Sequence, residues 1–295
     1  MDAYAAFTEI LKHGSISRAA ESLGYSQSNV SHMLQVLEDE LGCTLLTRGR
    51  NGVRLSAEGE QLLPYINEIA NAQNRLHEKA QAMQGLLAGK VRVASFPSAA
   101  NRWLPYIIQE FHAAWPLIEF DLMNGAYPEI EAWISNGSAD CGFNRLPTVQ
   151  PMRSRLLKED TFYAALPPGH KYADLEAVTI EMIAAEPLIW PDDVGENEMG
   201  PIFHKYGCTP HILYTVPDIY TLMTMVEVGL GVSILPELAL EGRDQIIKKP
   251  LAIQESRKIG LTVCEKPSAA ARAFTDFVET WIRAKYHDRK QPKIS

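Results

Sequence analysis

Apolar positions recur at spacings of three and four between residues 17 and 42, which is the period of an amphipathic helix. The pattern predicts a helix over 17–23, a break at Gly24 and a second helix that begins at Ser26. Glycine adopts the left-handed backbone that a tight turn requires, and serine is a good N-cap. One row of the second helix is apolar and comprises Val30, Leu34, Leu37 and Leu41. The sequence therefore predicts a helix-turn-helix near its beginning.

The opposite face of the second helix carries short polar side chains that are able to bond base edges and phosphates within a major groove. Together with the cap and one arginine of the preceding helix, the candidates are Arg18, Ser26, Gln27, Ser28, Asn29, Ser31, His32 and Gln35. We interpret this face as a DNA-reading surface because turn, cap and polar face agree. The alternative is a helical hairpin whose polar face meets only water.

A longer helix is predicted from Ser56 to about Gly89, with a kink at Pro64. Its apolar positions alternate at spacings of four and three, which is a heptad seam interrupted by one glutamine. The seam comprises Leu62, Ile66, Ile69, Gln73, Leu76, Ala80, Met83 and Leu87. We predict that the seam pairs two copies of the chain, with Leu62, Ile66, Ile69, Leu76 and Met83 at the interface. The alternative is that this helix packs on the body of its own chain.

From residue 90 onward, short β-branched runs alternate with helical segments, which is typical of an α/β domain with crossover connections. About two hundred residues provide enough chain for two lobes, each with its own core. The predicted strands are 91–94, 118–122, 140–143 and 162–166, and the predicted helices are 103–114, 130–135, 219–228 and 269–286. The predicted domains are 1–58, a linker helix over 59–89, and 90–295, with lobe I at about 90–160 and 268–290 and lobe II at about 161–267.

The charge of the chain limits how it would bind DNA. The formal net charge is -8, and residues 1–60 hold five basic and eight acidic side chains, whereas nucleic-acid binders are usually basic. The acidic run Glu38, Asp39 and Glu40 lies at the far end of the reading helix, away from Arg18. We therefore expect local, salt-sensitive contacts whose useful affinity requires two or more copies of the domain.

The segments 38–48 and 53–59 resemble the amino-terminal region of the LysR-type transcriptional regulators, in the residues EDELGCTLLTR and VRLSAEG. The resemblance implies a winged helix-turn-helix whose two-stranded wing spans about Thr44 to Leu55. It also implies that Arg48, Arg50 and Arg54 contact phosphates or the adjacent minor groove.

The same resemblance implies that the linker helix forms a dimer, that dimers pair into tetramers, and that RNA polymerase is a candidate partner. The chain departs from the family at Ser28, where proline is usual, and at His32, where arginine is common. These departures change the expected target sequence and leave the expected fold intact.

The region after residue 90 is similar to the LysR-type effector domain, which has a two-lobed, periplasmic-binding-protein-like architecture and holds a small coinducer in its cleft. Ligands of open α/β sheets bind at the carboxyl ends of strands, and helix N-termini favour anions. The candidates at such positions are Ser95, Ser98, Asn124, Arg145, Trp190, Asp192 and Pro217.

Arg145 matches a carboxylate-binding arginine of family members that sense aromatic diacids, so we expect an organic acid as effector. The alternative for Arg145 is a hinge residue bonded to backbone carbonyls, and the alternative for Ser95 and Ser98 is a simple helix cap.

Catalysis has no positive support in the sequence. Four cysteines show no paired spacing, and neither a metal-binding His-x-x-x-His pair nor a phosphate loop occurs, so we expect no metal and no cofactor. The first residues lack the pattern of a signal peptide and no run is long enough to span a membrane, which predicts a cytoplasmic protein. The sequence therefore predicts a mixed fold and favours a LysR-type regulator of operator DNA. The rival is a cytosolic ligand-binding protein or enzyme that uses its first helices only for assembly.

Overall fold

The computed structural model describes residues 3–49, 52–83, 88–192 and 198–286. The chain divides into two compact units. The first comprises residues 1–89 and 135–138, and the second comprises residues 90–134 and 139–295.

The first unit is a helical domain followed by a hairpin and a long helix. Its elements are α1 (Ala3–His13), α2 (Ile16–Leu23), α3 (Gln27–Leu41), β1 (Leu46–Gly49), β2 (Gly52–Leu55) and α4 (Ala57–Ala82). Gly24 ends α2 with a φ of 68°, and the Ser26 hydroxyl accepts a hydrogen bond from the Asn29 backbone N–H at 3.3 Å. The predicted break and cap are thus confirmed. Ser15 caps α2 in the same way, which the pattern of apolar residues did not predict.

The core of the first unit lies between α1, α2, α3 and the start of α4. Val30 and Leu37 are fully buried and Leu34 nearly so, which confirms most of the predicted apolar row. Leu41 is an error in that row, since 37% of its surface is exposed. It is the last residue of α3, and the chain turns away at Gly42, so no element covers it.

The hairpin is the predicted wing. β1 and β2 pair antiparallel, with Leu46 opposite Leu55 and Gly49 opposite Gly52. One carboxylate oxygen of Glu38 accepts hydrogen bonds from the backbone N–H groups of Leu45 at 2.7 Å and Leu46 at 3.2 Å. The first member of the acidic run therefore has a structural role, because it fastens the end of α3 to the start of the wing.

The long helix α4 continues through Pro64 and ends at Ala82, short of the predicted end at Gly89; Leu87 lies outside the described residues. Its apolar seam divides into two parts. Ile66 is only 2% exposed and Leu62 is half-buried, and both pack into the core of the first unit. The prediction of Ile66 as an interface residue is wrong, because its own chain covers it.

The rest of the seam remains open. Ile69 is 41% exposed, Leu76 is 68% exposed and Met83 is 81% exposed. The alternative of packing on the same chain thus holds for the beginning of α4, whereas the apolar seam residues of its later turns are exposed.

The second unit contains a seven-stranded sheet in which strands β10, β6, β11, β5, β3 and β4 follow one another and β9 pairs with β6. Its strands are β3 (Gly89–Ser95), β4 (Ile118–Asn124), β5 (Cys141–Leu146), β6 (Arg153–Leu166), β7 (Leu188–Pro191), β8 (Ile212–Val216), β9 (Ser233–Pro236), β10 (Ile247–Pro250) and β11 (Ser256–Val263). Its helices are α5 (Pro97–Arg102), α6 (Leu104–Ala114), α7 (Tyr127–Ser135), α8 (Ile180–Ala184), α9 (Met199–Lys205), α10 (Ile219–Glu227), α11 (Glu237–Leu240) and α12 (Ala269–Tyr286).

Strand β6 belongs to both lobes of this unit. Its first part pairs with β11, and its second part pairs with β9 and β10. Strand β11 pairs on its other side with β5, so residues 256–263 belong to the sheet of lobe I. The predicted boundary of lobe II at residue 267 is therefore wrong for this strand, since β11 returns to the first lobe before α12 does.

The predicted strands and helices of this unit all exist, with shifted ends. The helix predicted over 103–114 corresponds to α6, whereas α5 precedes it and was not predicted, and α12 has the predicted bounds. Trp103, Phe111 and Phe274 fill the core of lobe I, and Phe203 and Ile180 lie in the core of lobe II. Among the residues that the structure describes, no helix is both long and apolar enough to cross a membrane.

We predict that Glu38→Ala loosens the junction between α3 and the wing. The substitution leaves two buried backbone N–H groups without an acceptor, which costs about 1–3 kcal/mol of local opening free energy. Amide hydrogen exchange at Leu45 and Leu46 in the full chain measures this opening. Asp39→Ala is the matched control, because Asp39 is exposed on the next position of the same helix. Unchanged protection at both amides in Glu38→Ala would contradict the assigned role.

Candidate DNA-binding surface and effector site

The outer face of α3 is available to a partner, while its inner face is buried. Five of the predicted reading residues are exposed on it, namely Gln27, Ser28, Asn29, His32 and Gln35. Ser31 is half-buried. Ser26 is exposed, but its hydroxyl caps the helix and lies 3.0 Å from the Ser28 hydroxyl. The Ser26 hydroxyl therefore caps the helix, although the residue itself lies on the exposed face.

Two of the predicted phosphate-binding arginines are exposed within the described residues. Arg18 lies on α2, and Arg54 lies on β2 opposite Thr47. Arg48 lies in β1, and its side chain is outside the described part; Arg50 is outside it altogether. The backbone N–H of Val53 donates to the Gly14 carbonyl at 2.9 Å, which anchors the wing to the α1–α2 turn.

A buried guanidinium organises the second unit. Arg257, on β11, donates from Nε to Asp160 at 2.9 Å and from Nη2 to the Ser98 hydroxyl at 2.9 Å. Its Nη1 donates to the Tyr127 hydroxyl at 2.9 Å and to Glu198 at 3.0 Å. Burial by itself lowers the pKa of Arg257, but Tyr127, Glu198 and Asp160 outweigh burial and raise this pKa above its ordinary value. The guanidinium is therefore charged, and each of its three nitrogens donates at least one hydrogen bond.

This cluster joins the two lobes. Ser98 and Tyr127 belong to lobe I, whereas Glu198 immediately precedes α9 in lobe II. Asp160 lies on the shared strand β6 and accepts a further bond from the backbone N–H of Leu238, at 2.9 Å. A second link between the lobes runs from the Tyr220 hydroxyl to the Pro97 carbonyl at 2.8 Å.

Two cavities meet at this cluster, and Phe162, Glu198 and Arg257 line both of them. The smaller measures about 40 Å³ and also has Ser98 in its wall. The larger measures about 400 Å³ and is also lined by basic side chains, namely Arg145, Lys205 and Lys258. The smaller cavity has room for little more than a water molecule, whereas the larger one can hold a small organic ligand.

Two of the predicted effector-binding residues line these cavities. Ser98 is in the Arg257 cluster, and Arg145 is exposed in the wall of the larger cavity, with its guanidinium 5.2 Å from the centre of the Tyr127 ring. Ser95 is fully buried and its hydroxyl donates to the Phe96 carbonyl at 3.1 Å. The Ser95 hydroxyl is therefore bonded to the backbone of the next residue, and Ser95 does not line either cavity.

The remaining candidates are not among the residues that line the two cavities. Trp190 is half-buried, with its ring centre 6.0 Å from that of Phe203 in the core of lobe II. Asn124, Asp192 and Pro217 are exposed at strand ends. Pro191 and Ile219 line the smaller cavity, and the predicted residues Trp190, Asp192 and Pro217 lie within two positions of them in the chain.

The sequence analysis missed Arg257, Asp160, Tyr127 and Glu198. A signal for Arg257 was present, because strand residues alternate between two faces and Arg257 shares its face with buried Ile259 and Leu261. A basic residue at an inward position of an apolar strand requires buried carboxylates nearby.

The cysteines give no sign of a paired thiol site. All four are free, and burial raises the pKa of the Cys141 thiol well above its ordinary value. None is among the described residues that line the two cavities. Across residues 3–49, 52–83, 88–192 and 198–286, no three His, Cys, Asp or Glu side chains gather as a metal site would require.

Comparison with protein families identifies both parts of the chain. Residues 1–60 match the bacterial regulatory helix-turn-helix protein of the lysR family, and residues 84–283 match the LysR substrate binding domain. The regulator YvbU of Bacillus subtilis is 30% identical over 92% of this chain and 95% of that protein. The DNA-binding transcriptional dual regulator OxyR of Escherichia coli is 27% identical over 94% of this chain and 92% of that protein.

Solved structures show the same fold. A full-length OxyR variant from Pseudomonas aeruginosa has a TM-score of 0.76 with 22% identity, over 99% of this chain and 97% of that one. Full-length CbnR, solved with its target DNA, has a TM-score of 0.65 with 21% identity, over 94% of this chain and 98% of that one. The chain belongs to the LysR family of transcriptional regulators, with a helix-turn-helix followed by an effector-binding domain, which confirms the predicted mixed fold and class.

We predict that Asp160→Asn strongly destabilises the second unit. Asp160 is fully buried, so its neutralisation leaves part of the Arg257 charge uncompensated, at a cost of ~3–5 kcal/mol. All five tryptophans lie in this unit, so denaturant unfolding followed by tryptophan fluorescence reports on it. Arg155→Ala is the control, because its ion pair with Glu279 is largely exposed and contributes ~0–1 kcal/mol. Equal stability of Asp160→Asn and the unmodified protein would exclude a central role for the cluster.

Proposed function

We propose that the exposed face of α3 reads base edges in a major groove of operator DNA, while Arg18 and the wing arginines bind the flanking phosphates. The observation that carries this proposal is the division of α3 into a buried apolar face and an outward polar face. Glu38 and Gly14 fix the wing beside that helix, so base-reading and phosphate-binding side chains share one rigid frame. The description of CbnR as bound to its target DNA supports the same use of this fold.

The protein acts as a dimer through the later turns of α4, and dimers pair into tetramers. Ile69, Leu76 and Met83 supply the apolar contact, since they are exposed on one helix at heptad spacing. Two weakly binding heads gain useful affinity when they are linked, which offsets the acidic character of residues 1–60. Such a dimer predicts an interrupted inverted repeat as operator.

The second unit holds a small-molecule effector at the Arg257 cluster, between its lobes. An effector that binds one arrangement of the lobes better than another shifts the population of arrangements, and thereby the spacing of the DNA-binding heads. RNA polymerase is the expected partner in activation. The expected location is the cytoplasm, where a bacterial operator lies.

We predict different defects for Gln27→Ala and Arg54→Ala. Gln27→Ala should weaken binding to the selected operator by roughly 1–3 kcal/mol with little change on random DNA, since it removes a base contact. Arg54→Ala should weaken binding to every sequence and reduce the slope of log affinity against log salt by about 1 for each arginine removed. Mobility shifts on operator and random duplexes at several salt concentrations separate the two effects.

The control for both variants is Glu21→Gln, an exposed change elsewhere on the helix-turn-helix. The probe is the region upstream of the protein's own gene, alongside duplexes selected from a random pool. If the unmodified protein shifts no duplex even at low salt, the regulator proposal fails and the rival ligand-binding protein is favoured.

We predict that Leu76→Glu separates the dimer. A charge in the apolar seam faces the same charge on the second copy, so the dissociation constant should rise by at least about tenfold, which corresponds to 1.4 kcal/mol. Sedimentation velocity over a concentration series measures this change. Asn74→Glu is the matched control, because it adds the same charge on the other side of α4. Equal effects of the two substitutions would show that the seam is not the interface.

A further inference from the structure

The Glu198 carboxylate occupies a pair of donors that is typical of a ligand site. It accepts from Arg257 Nη1 at 3.0 Å and from the Tyr127 hydroxyl at 3.2 Å. A guanidinium N–H beside a hydroxyl is a donor set with which proteins bind carboxylate ligands. Both donors come from lobe I, whereas Glu198 comes from lobe II, so the bonded pair spans the cleft.

The two carboxylates on Arg257 are held very differently. Asp160 is fully buried and is also fixed by the Leu238 backbone N–H. The Glu198 side chain is 12% exposed and lines both cavities. Although Glu198 stands at the start of α9, its side chain makes no capping bond to that helix. Glu198 is therefore the member of the cluster that is able to leave without unfolding a lobe.

The charge balance determines what is able to replace it. Arg257 already faces two carboxylates, so a third anion would add repulsion, whereas the exchange of one carboxylate for another conserves charge. The larger cavity begins at Glu198 and carries Arg145, Lys205 and Lys258. Glu255 also lines it and pairs with Lys205, so the excess of positive charge that favours an anion comes from Arg145 and Lys258. Its volume of about 400 Å³ accommodates the body of a small organic acid.

We propose that the Glu198 side chain is an internal substitute for the effector, and that the effector is a small organic carboxylate which displaces it from Arg257 and Tyr127. The body of the ligand then lies in the larger cavity. This inference rests on the proposed function, because it names the ligand class and the release step of the same effector site. Displacement of Glu198 breaks one bridge between the lobes and so couples ligand entry to their arrangement.

The test is the binding of benzoate to the full-length protein and to Glu198→Ala, measured by isothermal titration calorimetry at constant ionic strength. Removal of the internal competitor should strengthen benzoate binding by about tenfold or more, since the binding-competent state is then always populated. Benzamide, the uncharged analogue, should gain no affinity. If benzoate binds Glu198→Ala no better than the unmodified protein, the inference is wrong.

Two further variants separate a specific exchange from a general effect of charge. Glu255→Gln removes a negative charge from the same cavity and frees Lys205 without touching Arg257, so it measures the effect of charge alone and should strengthen benzoate binding by no more than about threefold. An equal gain in Glu255→Gln and Glu198→Ala would overturn the proposal. Tyr127→Phe added to Glu198→Ala removes a donor and should reverse much of the gain; a gain that persists in full would exclude Tyr127 from the site.

Folding and the regulator proposal are checked separately. If Glu198→Ala does not fold, Glu198→Gln takes its place in the test. It keeps the size of the side chain and removes the charge, so it should also strengthen benzoate binding, although by less than Glu198→Ala. A mobility shift by the unmodified protein tests DNA binding alone. Failure of that shift rejects the regulator function, whereas a normal shift without any gain in benzoate affinity rejects only this inference.

Discussion

The second unit depends on the neutralisation of one buried guanidinium. Arg257 lies on β11, where an uncompensated charge would cost far more than a typical domain's net stability. Its four hydrogen bonds reach acceptors on α5, α7, β6 and the residue before α9, so the elements that carry them must assemble around it. Replacing such a cluster with apolar side chains would often be tolerated in a core. It lies where two cavities meet, which is the basis of the recognition role proposed for it.

Local patterns were sufficient to predict the helix-turn-helix of the first unit. The apolar row of α3, the left-handed Gly24 and the Ser26 cap act over a few residues, so their effects appear directly in the sequence. The seam of α4 was predicted less well, because periodicity shows which residues share a face but not what covers that face. Ile66 and Ile69 fit the same heptad, yet the α1–α3 core covers the first and leaves the second exposed.

Local patterns did not predict the proposed effector site. Its cluster combines Ser98, Tyr127, Asp160, Glu198 and Arg257, which are spread over 160 positions of the chain. No local pattern contains that combination, since the pairing of β11 with β5 and β6 creates it. The resemblance to known regulators predicted Arg145, which lines the larger cavity but is not part of the buried Arg257 cluster.

The continuity of β6 restricts how the lobes are able to move. One strand of fourteen residues supplies a ladder to each lobe, so no flexible linker separates them at this point. Large-angle opening would break backbone ladders, whereas a small twist about the strand axis would keep them intact. A few degrees of torsion, amplified by the length of the attached elements, is therefore the kind of signal that this architecture is suited to transmit.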